Sequence, residues 1–262
     1  MRLGFLGAGT ISNAVIRGIC RGDMAAALGI EVIFVSQRNA QIAAKLAKDF
    51  ACIKITEDNQ QLVDNADLVF VALPGAVCEQ ALRALQFRAD QKLISFVPNP
   101  SCAELAEWTG GKLPVLRAVP LPFIAEHKTA TPIFPADKDL QALFGATGGC
   151  ILAEEEKQFN FFMTAGSMMG VYYRFCGLCM SWLSQKSLPE EQSMLYMTRL
   201  FKALSEEAVK EGQKGKDFAA LQQEYSTKGG TNELIAKLFE DKGGAEALLA
   251  ALEEGFARIN GK

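Results

Sequence analysis

The sequence predicts an α/β protein: a doubly wound parallel sheet in the N-terminal half, then an all-helical C-terminal half. Three observations predict it. The chain opens on a short apolar strand, Arg2-Leu3-Gly4-Phe5-Leu6, that runs directly into Gly7-Ala8-Gly9-Thr10-Ile11-Ser12 and then a helical pattern. Short apolar runs alternate with helical stretches as far as Leu152, as in a parallel sheet with right-handed crossovers. Beyond Glu154 only helical patterns remain. Residues 1–153 are therefore expected to form a Rossmann-type NAD(P)-binding domain and residues 154–262 a helical one.

The first element carries the most chemistry. A strand, a glycine-rich turn and a helix open a dinucleotide-binding βαβ unit. Gly7 permits the tight turn. Gly9 lets the backbone approach a pyrophosphate, and the N–H groups of a helix starting at Thr10 and Ile11 face its charge. Ser12 stands where a third glycine is usual, small enough for close helix–strand packing. The second strand, Glu31 to Val35, leads into Ser36-Gln37-Arg38-Asn39 without a carboxylate. An acidic residue there suits the ribose of NAD, whereas Ser36 and Arg38 suit the 2′-phosphate of NADP. NADP(H) is expected over NAD(H).

The remaining elements follow the same alternation. Helices are expected over Asn39–Phe50, Asn59–Asn65, Val77–Leu85 and, with Ser101 as N-cap, Ser101–Thr109. Strands are expected over Cys52–Ile55, Asp67–Ala72, Lys92–Val97 and Val115–Val119. Extended pieces at Thr131–Phe134 and Gly149–Leu152 flank a helix near Asp139–Phe144. In the second half, helices are expected over Glu155–Lys186, from Pro189 (with Ser187 near its cap) to Gly212, and over Asp217–Tyr225, Thr231–Asp241 and Ala245–Ile259. The run Phe159–Leu183 is too apolar for a solvated helix. Its Gly166, Ser167, Gly170 and Arg174 argue against a membrane span, so burial between neighbours or subunits is expected.

Composition excludes several classes. With 27 basic and 30 acidic residues, the net charge is −3 and no basic stripe suggests nucleic acid. The N-terminal glycines fall where a signal peptide would carry its apolar core. Seven scattered cysteines suit reduced thiols in the cytoplasm; Cys176 and Cys179 read as core packing. No metal-ligand spacing occurs. Glu154-Glu155-Glu156 reads as an exposed helix start. His127, the single histidine, reads as a loop residue rather than a general acid.

Across nearly its whole length the chain resembles the pyrroline-5-carboxylate reductases. The shared landmarks are Gly7-Ala8-Gly9, Ser36 and Arg38, Asn59, Ala66 to Ala72, Arg117-Ala118-Val119-Pro120, Ala165-Gly166-Ser167 and Ser226-Thr227-Lys228-Gly229-Gly230-Thr231. The resemblance implies an N-terminal cofactor domain and a C-terminal helical domain that dimerises, a homodimer with a higher oligomer left open. It implies NAD(P)H-dependent reduction of pyrroline-5-carboxylate to proline, or of a related cyclic imine. Asn59 would approach the cofactor ribose, and Ala72-Leu73-Pro74 would line the cofactor path. Pro120 and the turn Gly229-Gly230-Thr231-Asn232 would meet substrate, the backbone N–H groups holding its carboxylate. Thr231, Asn232 and Ser167 are the candidate catalytic side chains, all hydrogen-bonding groups rather than strong acids.

Four departures accompany the resemblance. The family's Lys-Pro is Leu73-Pro74; its Met-Pro-Asn-Thr-Pro is Val119-Pro120-Leu121-Pro122-Phe123; its Ser-Gly-Pro is Ser167-Met168-Met169; and the second threonine of its Gly-Gly-Thr-Thr turn is Asn232. The chain thus reads as a divergent paralogue with altered substrate preference. A non-catalytic NADP(H)-binding or sensor protein, or a reductase of another imine or carbonyl compound, are the alternatives.

Overall fold

The structure, a computed structural model, describes residues 1–260. The described residues divide into two compact units, Met1–Met163 with Ile259 and Asn260, and Thr164–Arg258.

In the first unit eight strands form one sheet: β1 (Arg2–Leu6), β2 (Val32–Ser36), β3 (Ile53–Thr56), β4 (Leu68–Val71), β5 (Lys92–Ser95), β6 (Val115–Ala118), β7 (Thr131–Phe134) and β8 (Cys150–Leu152). Their spatial order is β3-β2-β1-β4-β5-β6-β7-β8. The helices between them are α1 (Thr10–Ile19), α2 (Met24–Ala27), α3 (Ala40–Asp49), α4 (Asn59–Asn65), α5 (Gly75–Arg83), α6 (Cys102–Trp108) and α7 (Lys138–Ala146). The sheet winds outward in both directions from β1, so β1 and β4 flank the switch point where such sheets bind ligands. Every strand pair is parallel except β6 with β7. There the connection holds a 3₁₀ turn, Pro122–Glu126, instead of a crossover helix, and Pro120 and Pro122 were the signals for it. The four-residue α2 was not expected from the sequence.

The central strands β1 and β4 are apolar on both faces because both faces are covered, whereas the edge strands β3 and β8 keep exposed residues. Leu3 and Phe5 belong to one buried cluster, with Phe5 stacked on Phe70 at 4.6 Å between ring centroids. Leu6, Val69 and Val71 belong to the cluster on the opposite face. Ser101 forms the expected cap as a full capping box: its hydroxyl accepts from the Glu104 N–H at 3.2 Å, and its N–H donates to Glu104 at 2.8 Å.

The second half is helical: α8 (Gln158–Gly166), α9 (Met168–Gln185), α10 (Glu190–Gly212), α11 (Phe218–Glu224), α12 (Thr231–Asp241) and α13 (Gly244–Ile259). The single helix expected over Glu155–Lys186 divides at Gly166-Ser167, both weaker helix formers than the residues around them. Pro189 is the N-cap of α10, and Ser187 takes a left-handed φ of 65° instead of capping. The acidic run is no exposed helix start: α8 begins after it, and Glu156 turns inward to meet the buried Arg117. Within one chain α9 has no buried residue. Phe175 is 47 % and Trp182 57 % exposed. Its contacts inside the chain are edge-to-face rings such as Tyr172 with Phe201, 5.7 Å apart on α10. No helix among the described residues is long and apolar enough to cross a membrane. All seven cysteines are free, with Cys176 and Cys179 half-buried on α9.

Candidate functional site

The turn after β1 is built around the Gly7 peptide. Gly7 adopts φ +104°, a left-handed conformation that side chains rarely allow, and a Cβ there would lie 2.6 Å from the Ala72 carbonyl oxygen. Two buried serines hold the peptide from either side. The Gly7 N–H donates to Ser36 Oγ at 2.9 Å, and Ser12 Oγ donates to the Gly7 carbonyl at 2.6 Å. Ser12 is thus a structural tie of the turn, and the Ser36 oxygen faces inward to Gly7. Gly9 is the backbone N-cap of α1, and a Cβ there would meet nothing within 4 Å. The first turn of α1, beginning with the exposed Thr10, carries no acidic residue. Its N–H groups have no intrahelical partners, so an anion approaching Gly9 meets donors and no competing carboxylate. The cradle fits a dinucleotide pyrophosphate.

The neighbouring strand ends complete this edge. The Ala72 N–H donates to the Leu6 carbonyl at 2.9 Å, which brings the end of β4 beside the glycine turn. Leu73 is buried, its Cδ2 3.3 Å from where a Gly7 Cβ would stand. Pro74 is exposed and caps α5. Past the ends of β2 and β3, Gln37, Arg38, Ala40, Glu57, Asp58 and Asn59 line a surface pocket of about 600 Å³. This pocket brings Arg38 and Asn59 together, and it adds Glu57 and Asp58. Asp58 is held as the cap of α4, accepting from the Gln60 N–H at 3.1 Å. The two carboxylates come from the turn after the third strand, so inspection of the second strand alone misses them.

Pro120 is buried beyond β6. The following 3₁₀ turn lies on α1, where the Ile124 carbonyl would stand 2.6 Å from a Cβ at Gly18. His127 closes that turn and its Nε2 pairs with the Gly18 carbonyl at 2.7 Å, a scaffold contact. Arg117, 5 % exposed, bonds Glu156 at 2.9 Å and the Pro98 carbonyl at 2.6 Å, and its guanidinium lies 5.0 Å from the Phe159 ring centre. The Cys102 N–H also donates to Glu156, at 2.7 Å. Burial, then the Glu156 charge, pushes the Cys102 thiol up to about 12, which leaves it protonated and inert at neutral pH.

The second unit holds the other candidates. The turn before α12 is closed by its own groups. The Gly230 N–H donates to the Thr227 carbonyl at 2.7 Å, Asn232 Nδ2 donates to the Tyr225 carbonyl at 2.8 Å, and the Gly229 N–H donates to Glu233 at 2.6 Å. Gly229 has φ +73°. Thr231 is exposed at the first position of α12, and Ser167 is exposed at the junction of α8 and α9. Glu233 was not among the sequence candidates. Its position three residues after the Gly230 cap is the signal, because an acidic side chain there folds back over the turn.

Residues 2–99 match the family model described as NADP oxidoreductase, coenzyme F420-dependent. Pyrroline-5-carboxylate reductase 2 of Bacillus subtilis is 23 % identical over 261 residues, covering 97 % of this chain and 92 % of that protein. Pyrroline-5-carboxylate reductase of Pseudomonas aeruginosa is 32 % identical over 123 residues, 45 % of this chain and 42 % of that one. Among solved structures, 1-pyrroline-5-carboxylate reductase from Streptococcus pyogenes superposes with a TM-score of 0.84 at 20 % identity, over 100 % of this chain and 99 % of that chain. An imine reductase from Pseudomonas sp. gives 0.61 at 12 % identity, over 97 % and 87 %. The fold and the full-length sequence relatives agree: the chain shares the fold of the pyrroline-5-carboxylate reductases and is similar to them in sequence along nearly its whole length.

Proposed function

We propose that the chain is an NADPH-dependent reductase of a small cyclic imine, pyrroline-5-carboxylate or a related compound, with residues 1–153 as cofactor domain and 154–262 as substrate and dimerisation domain. The observation that carries this reading is the glycine turn. The Gly7 peptide is fixed by Ser12 and Ser36, and Gly9 is open to an anion at the α1 N-terminus. In this reading Gly7, Ala8, Gly9, Thr10, Ile11 and Ser12 form or support the pyrophosphate cradle. Gln37, Arg38 and Asn59 serve the adenosine end while Ser36 ties the Gly7 turn from behind, and Ala72, Leu73 and Pro74 line the path toward the nicotinamide. Pro120 and Gly229 to Asn232 serve the substrate, with Thr231, Asn232 and Ser167 orienting its nitrogen or ring. The nicotinamide supplies the hydride. A cyclic imine is basic enough to arrive protonated, so the chain needs hydrogen-bonding groups to hold it and no strong acid.

NADP(H) is preferred over NAD(H) in this reading because Arg38 lines the adenosine pocket. A plasmodial relative is described with NADP bound. Arg38→Ala is expected to raise the NADPH dissociation constant at least about tenfold and to change NADH binding much less. Titration of both nucleotides by fluorescence checks it; equal loss for the two would remove Arg38 from phosphate recognition.

The exposed aromatic and aliphatic side chains of α9 and α10, including Tyr173, Trp182, Leu195 and Tyr196, support a homodimer, since so much apolar surface marks an interface. The seven free thiols support a cytoplasmic setting. The whole reading is tested by NADPH oxidation with pyrroline-5-carboxylate and a panel of other cyclic imines. Turnover of any of them supports it; silence across the panel while NADPH still binds favours a non-catalytic NADP(H)-binding protein. The likeness to an imine reductase and to a reductive aminase from Aspergillus terreus keeps imines other than pyrroline-5-carboxylate in the panel.

A further inference from the structure

The turn that the proposed function assigns to substrate already holds a carboxylate, and it is the protein's own. Glu233 Oε2 accepts from the Gly229 N–H at 2.6 Å. The Gly230 N–H is taken by the Thr227 carbonyl at 2.7 Å, and the Asn232 amide by the Tyr225 carbonyl at 2.8 Å. Two of the three backbone donors on which a substrate carboxylate would rest, Gly229 and Gly230, are therefore satisfied inside the turn. So is the side-chain amide of the residue that replaces the family's second threonine. Lys228 is the turn's one cation, and the Glu233 carboxylate on the adjoining Gly229 N–H adds a negative charge to the same turn. An incoming carboxylate must displace Glu233 from Gly229 and then share the turn with it as a like charge, a juxtaposition that selects against an anionic ligand.

We infer that the substrate is a carboxylate-free cyclic imine, and that Glu233 is the residue that discriminates against the carboxylated form. The inference rests on the imine-reductase reading above and narrows its substrate class. The chemistry balances as before: the reduced nicotinamide gives a hydride to the imine carbon and becomes oxidised, the C=N π electrons move to nitrogen, and the iminium proton stays on the product amine.

The test compares matched pairs, 1-pyrroline with pyrroline-2-carboxylate and pyrroline-5-carboxylate, and 1-piperideine with its 2-carboxylate, in wild type and in Glu233→Gln. Binding of pyrrolidine and of proline to the NADP⁺-loaded protein is measured alongside by calorimetry. We expect kcat/KM for the uncharged member to exceed that for its carboxylated partner by at least about tenfold in wild type. In Glu233→Gln the ratio is expected to fall several-fold, with the same shift in the pyrrolidine-to-proline affinity ratio. A wild type that prefers the carboxylated member overturns the inference and leaves the reductase reading standing. An unchanged ratio in a folded Glu233→Gln protein also overturns it. Silence with every imine removes the reductase reading, and the inference with it.

Discussion

Gly7→Ala is expected to destabilise the first unit by about 3 kcal/mol and to abolish measurable nucleotide binding. The substitution asks an L-residue to adopt φ +104°, in the half of backbone space that costs roughly 1–2 kcal/mol. It also drives a methyl to within 2.6 Å of the Ala72 carbonyl oxygen, an overpacking of roughly 1–3 kcal/mol. Neither neighbour can give way easily. Ala72 is bonded to Leu6, and the Gly7 peptide is bonded by both Ser12 and Ser36. Gly9→Ala separates stability from binding. Its backbone, φ −87°, is open to alanine, and its Cβ meets nothing. It is expected to melt like wild type while binding NADPH at least about tenfold more weakly, because the methyl occupies the approach of the pyrophosphate. Urea unfolding and nucleotide titration on the two variants check this pair, and a Gly9→Ala protein that binds normally would place the pyrophosphate elsewhere.

The second large effect is expected at Glu156. Arg117 keeps 6 % of its side-chain surface and is neutralised by Glu156, which also receives the Cys102 N–H. Glu156→Ala strands a guanidinium in a site with one carbonyl and one aromatic face left to it. Breaking one partner of such a pair costs about 3 kcal/mol, the lower end of the usual range because Glu156 itself is 29 % exposed. Replacing both partners at once, Arg117→Met with Glu156→Leu, is expected to recover much of that loss. Denaturant melts of the single and double variants decide the point. Additive losses would show that the two residues act independently.

Much of the first unit was legible because each device there is local. The β1 span, the α4 span and the Ser101 cap depend on residues within a few positions of one another, and sequence spacing reports them; the glycines mark the turn after β1, but the Ser36 and Ala72 contacts that fix it come from far along the chain. What was missed depends on residues brought together from a distance. Glu156 reads as solvated until Arg117, on the sixth strand, is known to lie beside it. Glu57 joins the pocket lined by Arg38 only because β3 lies next to β2. The antiparallel β7 follows from a 3₁₀ connection whose prolines mark a turn without giving its direction. The apolar run of α9 was legible as unsuited to water, yet nothing along it tells whether the chain or a second copy covers it. At the α12 turn the family motif drew attention to the glycines and to Asn232, while the spacing from Gly230 to Glu233 carried the more specific information.

Transfer of deuterium from NADPH labelled at the nicotinamide C4 tests the central claim most directly. With the imine panel present, mass spectrometry of the amine products should find one deuterium on the former imine carbon and oxidised NADP⁺ in equal amount. Tight NADPH binding with no deuterium in any product, under conditions where the protein is folded and dimeric, would contradict the assignment of this chain as an imine reductase.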